Sequence, residues 1–431
     1  MIEKNTKNTG AQNIVNTNGA VKTAGETTGK TSGQTPAKTP EKTSRETPSV
    51  RLAGFYLAYF AVMGVVVPYW SPYLRSLGFS AAQIGELMAV FMAARIIAPL
   101  LMGALADKTG RPMLMVRIAA GLAALCFVYV FVDRSYFALA ITTAAFGLFY
   151  ASGLPAFEAV TLNHLGGRDE HYGRIRLWGS WGFIFSVVGI GYFLDWTSVA
   201  WVPHILQGLF VLLAVLGLGV PRAPPRVDGA DSPSFLHLLK DKRVLALLAV
   251  GVLNQMGHGP YYVFFSIRLQ DVGYPESVIG PLWAVGVLAE ILIFFLMARL
   301  LPRFGPRRLL LAALALTVVR WNGIALFVEH PLLLIPIQTL HAASYGIFHA
   351  VTIHLIHKMF VGRTQSRGQA LYAAFGFGVG GALGSLYSGY AWTALGPVLT
   401  YQIASGLPAL ALLVAFMWVR EPPPGKTLEK R

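Results

Sequence analysis

The chain has 431 residues, 55% of them hydrophobic and only 13% charged, with a formal net charge of +15. Soluble domains carry nearer a quarter charged residues, so an ordinary soluble enzyme or binding domain is excluded. The positive excess would suit a nucleic-acid partner, but its placement along the chain excludes that too.

Residues 1–50 contain no aromatic residue and eleven threonines, with Lys, Gly, Asn and Pro filling most of the rest. Such a segment cannot bury enough apolar area to offset the entropy of ordering, and a disordered tail is expected. It has no apolar core of the kind a signal peptide needs. From Leu52 onward, twelve apolar spans follow one another: 52–75, 81–106, 112–132, 136–163, 171–194, 198–220, 243–270, 276–300, 306–328, 331–358, 365–391 and 396–419. Each is long enough to cross a hydrocarbon core of about 30 Å as a helix. The fold class is therefore an all-α membrane protein. The single cysteine, Cys126, lies inside a span, which leaves no intrachain disulfide.

The even-numbered connections carry eighteen Lys and Arg residues, from Lys108 and Arg111 through Arg168, Arg174 and Arg176 to Arg363 and Arg367. The odd-numbered connections have only Arg75, Arg134 and Arg268. This asymmetry is the positive-inside pattern. It predicts that both termini and the 221–242 connection lie in the cytoplasm, and the inner (cytoplasmic) membrane is the expected location. The lipid bilayer is then the main surface partner, and no nucleic acid is expected.

A shift of 195 residues superimposes the sequence on itself. Gly64 falls on Gly259, Gly78 on Gly273, Ile84-Gly85 on Ile279-Gly280, and Gly110 on Gly305. Two pseudo-symmetric six-helix bundles are predicted, 51–220 and 243–420, joined by the linker 221–242 and followed by a tail at 421–431. Between the second and third spans stands GALADKTGRP, residues 103–112. It resembles the loop motif of the major facilitator superfamily. Asp107 would accept bonds at a helix end, Gly110 would permit the turn, and Arg111 would grip acidic or carbonyl partners, together forming a gating latch. The equivalent 298–307 puts Pro302 where Asp107 stands, so the acid is present only in the first half.

Ionisable side chains inside spans cost about 2.5–3.5 kcal/mol on insertion scales and mark cavities or partners. Arg95 in the second span and Glu290 in the eighth are repeat mates near mid-depth, expected to face each other across a central cleft. Arg320 in the ninth span and His341 in the tenth lie at comparable depth, so Glu290, Arg320 and His341 can form a titratable cluster. His349, His354 and His357 follow; the 349-to-357 spacing does not return to one helix face, and no metal site is expected. Glu158 in the fourth span and Arg176 in the fifth sit at similar depth. Arg174 and Arg176 point about 200° apart, so only one can face Glu158. Arg176 is the expected partner, with Arg174 at the interface; the reverse assignment is the alternative. The seventh span carries Asn254, Gln255 and His258 on a Gly- and Pro-interrupted helix, followed by Tyr262, and Tyr59 of the first span is the repeat mate of Asn254. These are expected to line the cavity.

The strings YGRIRLWGS at 172–180, PLWAVGVLAEI at 281–291, VVRW at 318–321 and LHAASYGIFH at 340–349 resemble the 3-phenylpropionate permease family. That family is a branch of the major facilitators near the lactose permease, and the likeness spans residues 51–420. The resemblance implies a transporter, not an enzyme, without cofactor, acting as a monomer on a small-molecule substrate together with protons by alternating access. It carries substrate binding onto Glu158 and Arg176, and proton coupling onto Glu290, Arg320 and His341. The lactose permeases have a second carboxylate three residues after that histidine, whereas Ser344 stands here. Import of an aromatic carboxylate is the favoured reading; a sugar or nucleoside substrate and an efflux role are the alternatives.

Overall fold

The computed structural model describes residues 47–166, 168–222, 241–360 and 364–419. The expected tail at 1–46, most of the linker and the residues after 419 lie outside the described residues.

Ten helical stretches are long and apolar enough to cross a membrane. Two further crossings are hidden by local chemistry. The helix pair Lys242–Gly257 and Gly259–Asp271 is interrupted at His258, ahead of Gly259-Pro260, where proline supplies no N–H and neither half alone is long enough. The 52-residue stretch Arg367–Trp418 contains two crossings, because Gly396 at φ 77° turns the chain back. Among the described residues the architecture is thus twelve membrane-crossing helices. They are α1 (Ser49–Ser76), α2 (Ala81–Thr109), α3 (Pro112–Phe131), α4 (Tyr136–Leu165), α5 (Tyr172–Trp196) and α6 (Val199–Gly219) in the first half. The second half holds α7 (the interrupted pair), α8 (Glu276–Phe304), α9 (Pro306–Phe327), α10 (Pro331–Met359), α11 (364–395) and α12 (397–418). Leu292, Phe295, Trp196 and Leu413 are exposed outer-face side chains of the kind lipid covers. The chain is a multi-pass membrane protein.

The 195-residue repeat is written into the backbone. Gly78 and Gly273, repeat mates, take φ values of 88° and 89°, and Gly110 and Gly305 take 63° and 75°. Left-handed conformations at matched positions require glycine in both copies. Gly64 lies against Phe183 of α5, and its mate Gly259 lies against Gly384 of α11, so the same helix pairing recurs in each half.

The halves meet through α1 with α7, α2 with α11, and α5 with α8. Their contact is concentrated at the end poor in basic residues. A Cβ on Gly85 would lie 2.7 Å from the Ser385 carbonyl, so the bare glycine is what lets α2 and α11 approach. Polar links finish this seal: Arg75 to Asp271 and to Gln270, the latter its own repeat mate, Ser277 N–H to Asp195, and Tyr390 to Glu86. At the basic end the packing differs. There Val244, Leu310, Leu355 and Ala415 belong to a hydrophobic core built from second-half residues alone. Among the described residues the halves are sealed together at one end, while at the other a core of second-half residues packs on itself.

Candidate functional site

Between the halves at mid-depth lies a cavity of ≈ 170 Å³. Its walls follow helical spacing. α1 contributes Phe60, Met63 and Val67; α2 contributes Met92 and Arg95; α5 contributes Arg176, Ser180 and Phe183. Opposite them stand Trp283, Val287 and Glu290 of α8, His341 and Tyr345 of α10, and Phe377 and Gly381 of α11. Residues three, four and seven apart share a helix face, so each helix presents one stripe to the cavity. Gln255, Tyr261 and Tyr262 complete the lining from either side of the α7 break.

On the first-half wall, Arg176 Nε lies 4.0 Å from Glu158 Oε1, with both side chains about one-third exposed. The guanidinium stacks over Phe60 at 4.0 Å from the ring centroid and over Tyr56 at 5.6 Å. Arg174 is exposed and faces away. Arg95 donates to Met63 Sδ at 3.5 Å and sits over Phe91, and it makes no ion pair among the described residues. It is the cavity's unpaired cation.

On the second-half wall, three helices assemble one polar chain. His341 Nε2 is 3.4 Å from Glu290 Oε2, and His341 Nδ1 is 3.1 Å from Arg320 Nη1. Arg320 is a donor only, so Nδ1 accepts, and a neutral imidazole must carry its hydrogen on Nε2, aimed at Glu290. Arg320 is fully buried. It also donates to Ser344 Oγ at 3.0 Å and to Gln338 Oε1 at 3.1 Å, and lies between the rings of Tyr261 and Trp321. No carboxylate touches Arg320 among the described residues. Neutral acceptors and aromatic faces hold the cation, and Glu290 balances it through the histidine.

The cavity thus gathers six of the residues singled out in the sequence: Arg95, Arg176, Gln255, Tyr262, Glu290 and His341. Gln255 is almost wholly buried, and its Oε1 has no partner among the described residues. An orphaned acceptor on a cavity wall is a place for a ligand donor or water. Arg320 stands behind the wall, and Glu158 reaches the cavity only through Arg176.

Three expected lining residues sit elsewhere. Asn254 and His258 are four residues apart, one turn behind the face that carries Gln255. Asn254 donates to the Ser344 carbonyl at 3.3 Å, and His258 Nδ1 bonds the Asn254 carbonyl while its ring meets Trp321 edge-on. They join α7 to α9 and α10. Tyr59 is next to the stripe residue Phe60 and so points away; its hydroxyl donates to the Tyr150 carbonyl at 3.2 Å, and the Tyr150 hydroxyl returns a bond to the Tyr59 carbonyl at 2.7 Å. Of the loop motif, Gly110 makes the left-handed turn after α2 and Arg111 precedes α3, exposed. The Asp107 side chain lies outside the described residues. Sequence reasoning missed Trp283, Tyr345 and Phe377 as lining, although Trp283 is seven residues before Glu290 and Tyr345 four after His341.

The pattern of the MFS_1 like family matches residues 49–403. The chain belongs to that family. It is a membrane transporter of the major facilitator type, not an enzyme. The "Probable 3-phenylpropionic acid transporter" of Escherichia coli (strain K12) is 29% identical over 378 residues, 84% of this chain and 96% of that protein. The maltose permease of Geobacillus stearothermophilus is 28% identical over 368 residues, 84% of this chain and 92% of the relative. The crystal structure of the nucleoside transporter NupG superimposes with a TM-score of 0.75 at 17% identity, covering 87% of this chain and 99% of that one, a likeness of fold alone.

Proposed function

We propose that the chain imports a small organic anion, an aromatic carboxylate by preference, in symport with protons across the inner membrane, acting as a monomer with both termini cytoplasmic. The observation that carries this reading is the pairing, in one cavity, of an unpaired Arg95 with the Glu290–His341–Arg320 chain on the facing half. Arg95 offers charge to a carboxylate, while Phe60, Trp283, Tyr345 and Phe377 offer ring faces to an apolar body. Glu290 supplies a carboxylate that can take up and release a proton beside the bound anion. Because the basic loops fit the cytoplasmic side, the seal would face outward and the cavity would empty inward. In the opposite conformer the Asp107–Gly110–Arg111 turn would latch the cytoplasmic end.

A neutral sugar or nucleoside is the second reading. The Glu158–Arg176 pair favours it, since it neutralises one of the two cations on the first-half wall. Thermal unfolding of the purified protein with 3-phenylpropionate, maltose or uridine separates the two. The anion alone should raise Tm, and Arg95→Gln should remove the shift. Stabilisation by maltose or uridine alone would overturn the anion reading.

A further inference from the structure

His349 has no part in the chain just described, yet it lies within electrostatic reach of the same carboxylate. It follows His341 by eight residues, about 12 Å along a helix axis, toward the basic end. Between them stands Tyr345, and the three rings form one column. His341 and Tyr345 stack at 5.4 Å and 17°, and Tyr345 and His349 at 5.8 Å and 9°. The π-helical segment Ala342–Ile347 produces this alignment, because its wider turn rotates less per residue than an α-helix.

Glu290 packs against α10 between the two histidines. A Cβ on Gly346 would lie 3.4 Å from Glu290 Cγ, so glycine there admits the carboxylate arm. Glu290 and His349 are near enough for charge on one to act on the other. The other groups around His349 are Arg176 from α5, Tyr345 on its own helix, and Tyr372 and Phe377 from α11. No hydroxyl or carbonyl satisfies its Nδ1, which is buried without a partner among the described residues, while the ring as a whole is half-buried. His349 thus keeps a buried ring nitrogen with no partner among the described residues, within electrostatic reach of Glu290.

We infer that His349 is a further proton-carrying residue, the station through which Glu290 exchanges its proton with water at the open end. His341 cannot serve that route, since its Nδ1 is occupied by Arg320 and its Nε2 already faces Glu290. In the release step an O–H bond of the Glu290 carboxylic acid breaks and an N–H bond forms on the His349 imidazole, directly or through one water. The imidazolium then loses one ring proton to water, restoring neutral His349 and leaving Glu290 ionised. Uptake runs the same steps backward.

The inference rests on the proton-coupled reading of Glu290, and the test is built to tell the two apart. Purified full-length protein is subjected to a pH jump, and the carboxylic C=O infrared band that Glu290→Gln removes is followed in time. Removing a positioned proton carrier should slow that band's relaxation by about a hundredfold in His349→Ala, with its final amplitude unchanged. Free imidazole should then restore the rate, a rescue that a misfolded variant would not show. Wild-type relaxation rates in His349→Ala, or slow relaxation that imidazole leaves unchanged, would overturn the inference while leaving Glu290 in place. Absence of any Glu290 band that responds to pH in the wild type would overturn the proton-coupled reading, and this inference with it.

Discussion

His341 Nε2 lies 3.4 Å from Glu290 Oε2, and the opposite nitrogen of the same ring is bonded to a fully buried arginine. One imidazole therefore links a cavity carboxylate to a cation that has no carboxylate of its own among the described residues. His341→Ala should leave an Arg320 donor unpaired inside the protein, at a cost of about 1–3 kcal/mol. A fall in unfolding temperature together with loss of gradient-driven uptake is expected. Unchanged stability would contradict the bonding described for Arg320.

The Glu158–Arg176 pair is a weaker relationship. At 4.0 Å, with both side chains about one-third exposed, water screens it, and the coupling should be no more than about 1 kcal/mol. A double-mutant cycle of Glu158→Gln and Arg176→Gln on substrate affinity measures this directly. Arg176→Gln should also lose the stacking on Phe60, so it should be the more damaging single change. Strictly additive losses would remove the pair from the account.

Tyr59 tests the reassignment of a residue from cavity to scaffold. Its hydroxyl serves the Tyr150 carbonyl, and its ring stacks on Tyr150 at 4.3 Å. Tyr59→Phe keeps the stacking and should lower stability by about 1 kcal/mol with substrate affinity unchanged. A large loss of affinity at wild-type stability would return Tyr59 to the binding site.

The seal offers a contrast between charge and fit. Arg75 and Asp271 are each well exposed, so Arg75→Ala should shift the balance of conformers by no more than about fivefold. Gly85→Leu drives a side chain into the Ser385 and Gly389 backbone, which has nowhere to move within a packed helix pair. It should open the sealed end far more. Labelling rates of a cysteine placed at Val67, in a Cys126→Ser background, report the opening; equal effects of the two variants would contradict the packing argument.

Much of this molecule is legible in its sequence. Repeat and crossings follow from apolar length and from glycines whose backbone must be left-handed, and Gly78 with Gly273 shows how closely such a constraint is copied. The charged cavity residues Arg95, Arg176 and Glu290 were legible because charge at mid-depth is costly unless a cavity or a partner receives it. Asn254, His258 and Tyr59 were misplaced for one reason: polarity on a broken or aromatic helix does not say which face is inward. That His349 falls in line with His341, eight residues before it, was invisible because α-helical phasing does not hold through a π-helical segment. Nothing in the sequence announces that segment.

The central claim is that Glu290 couples solute movement to protons. Its direct test is uptake of 3-phenylpropionate into proteoliposomes under an imposed proton gradient, comparing the wild type with Glu290→Gln. The wild type should accumulate solute, whereas Glu290→Gln should exchange solute across the membrane at equal concentrations but fail to concentrate it. Gradient-driven accumulation by Glu290→Gln would contradict the account.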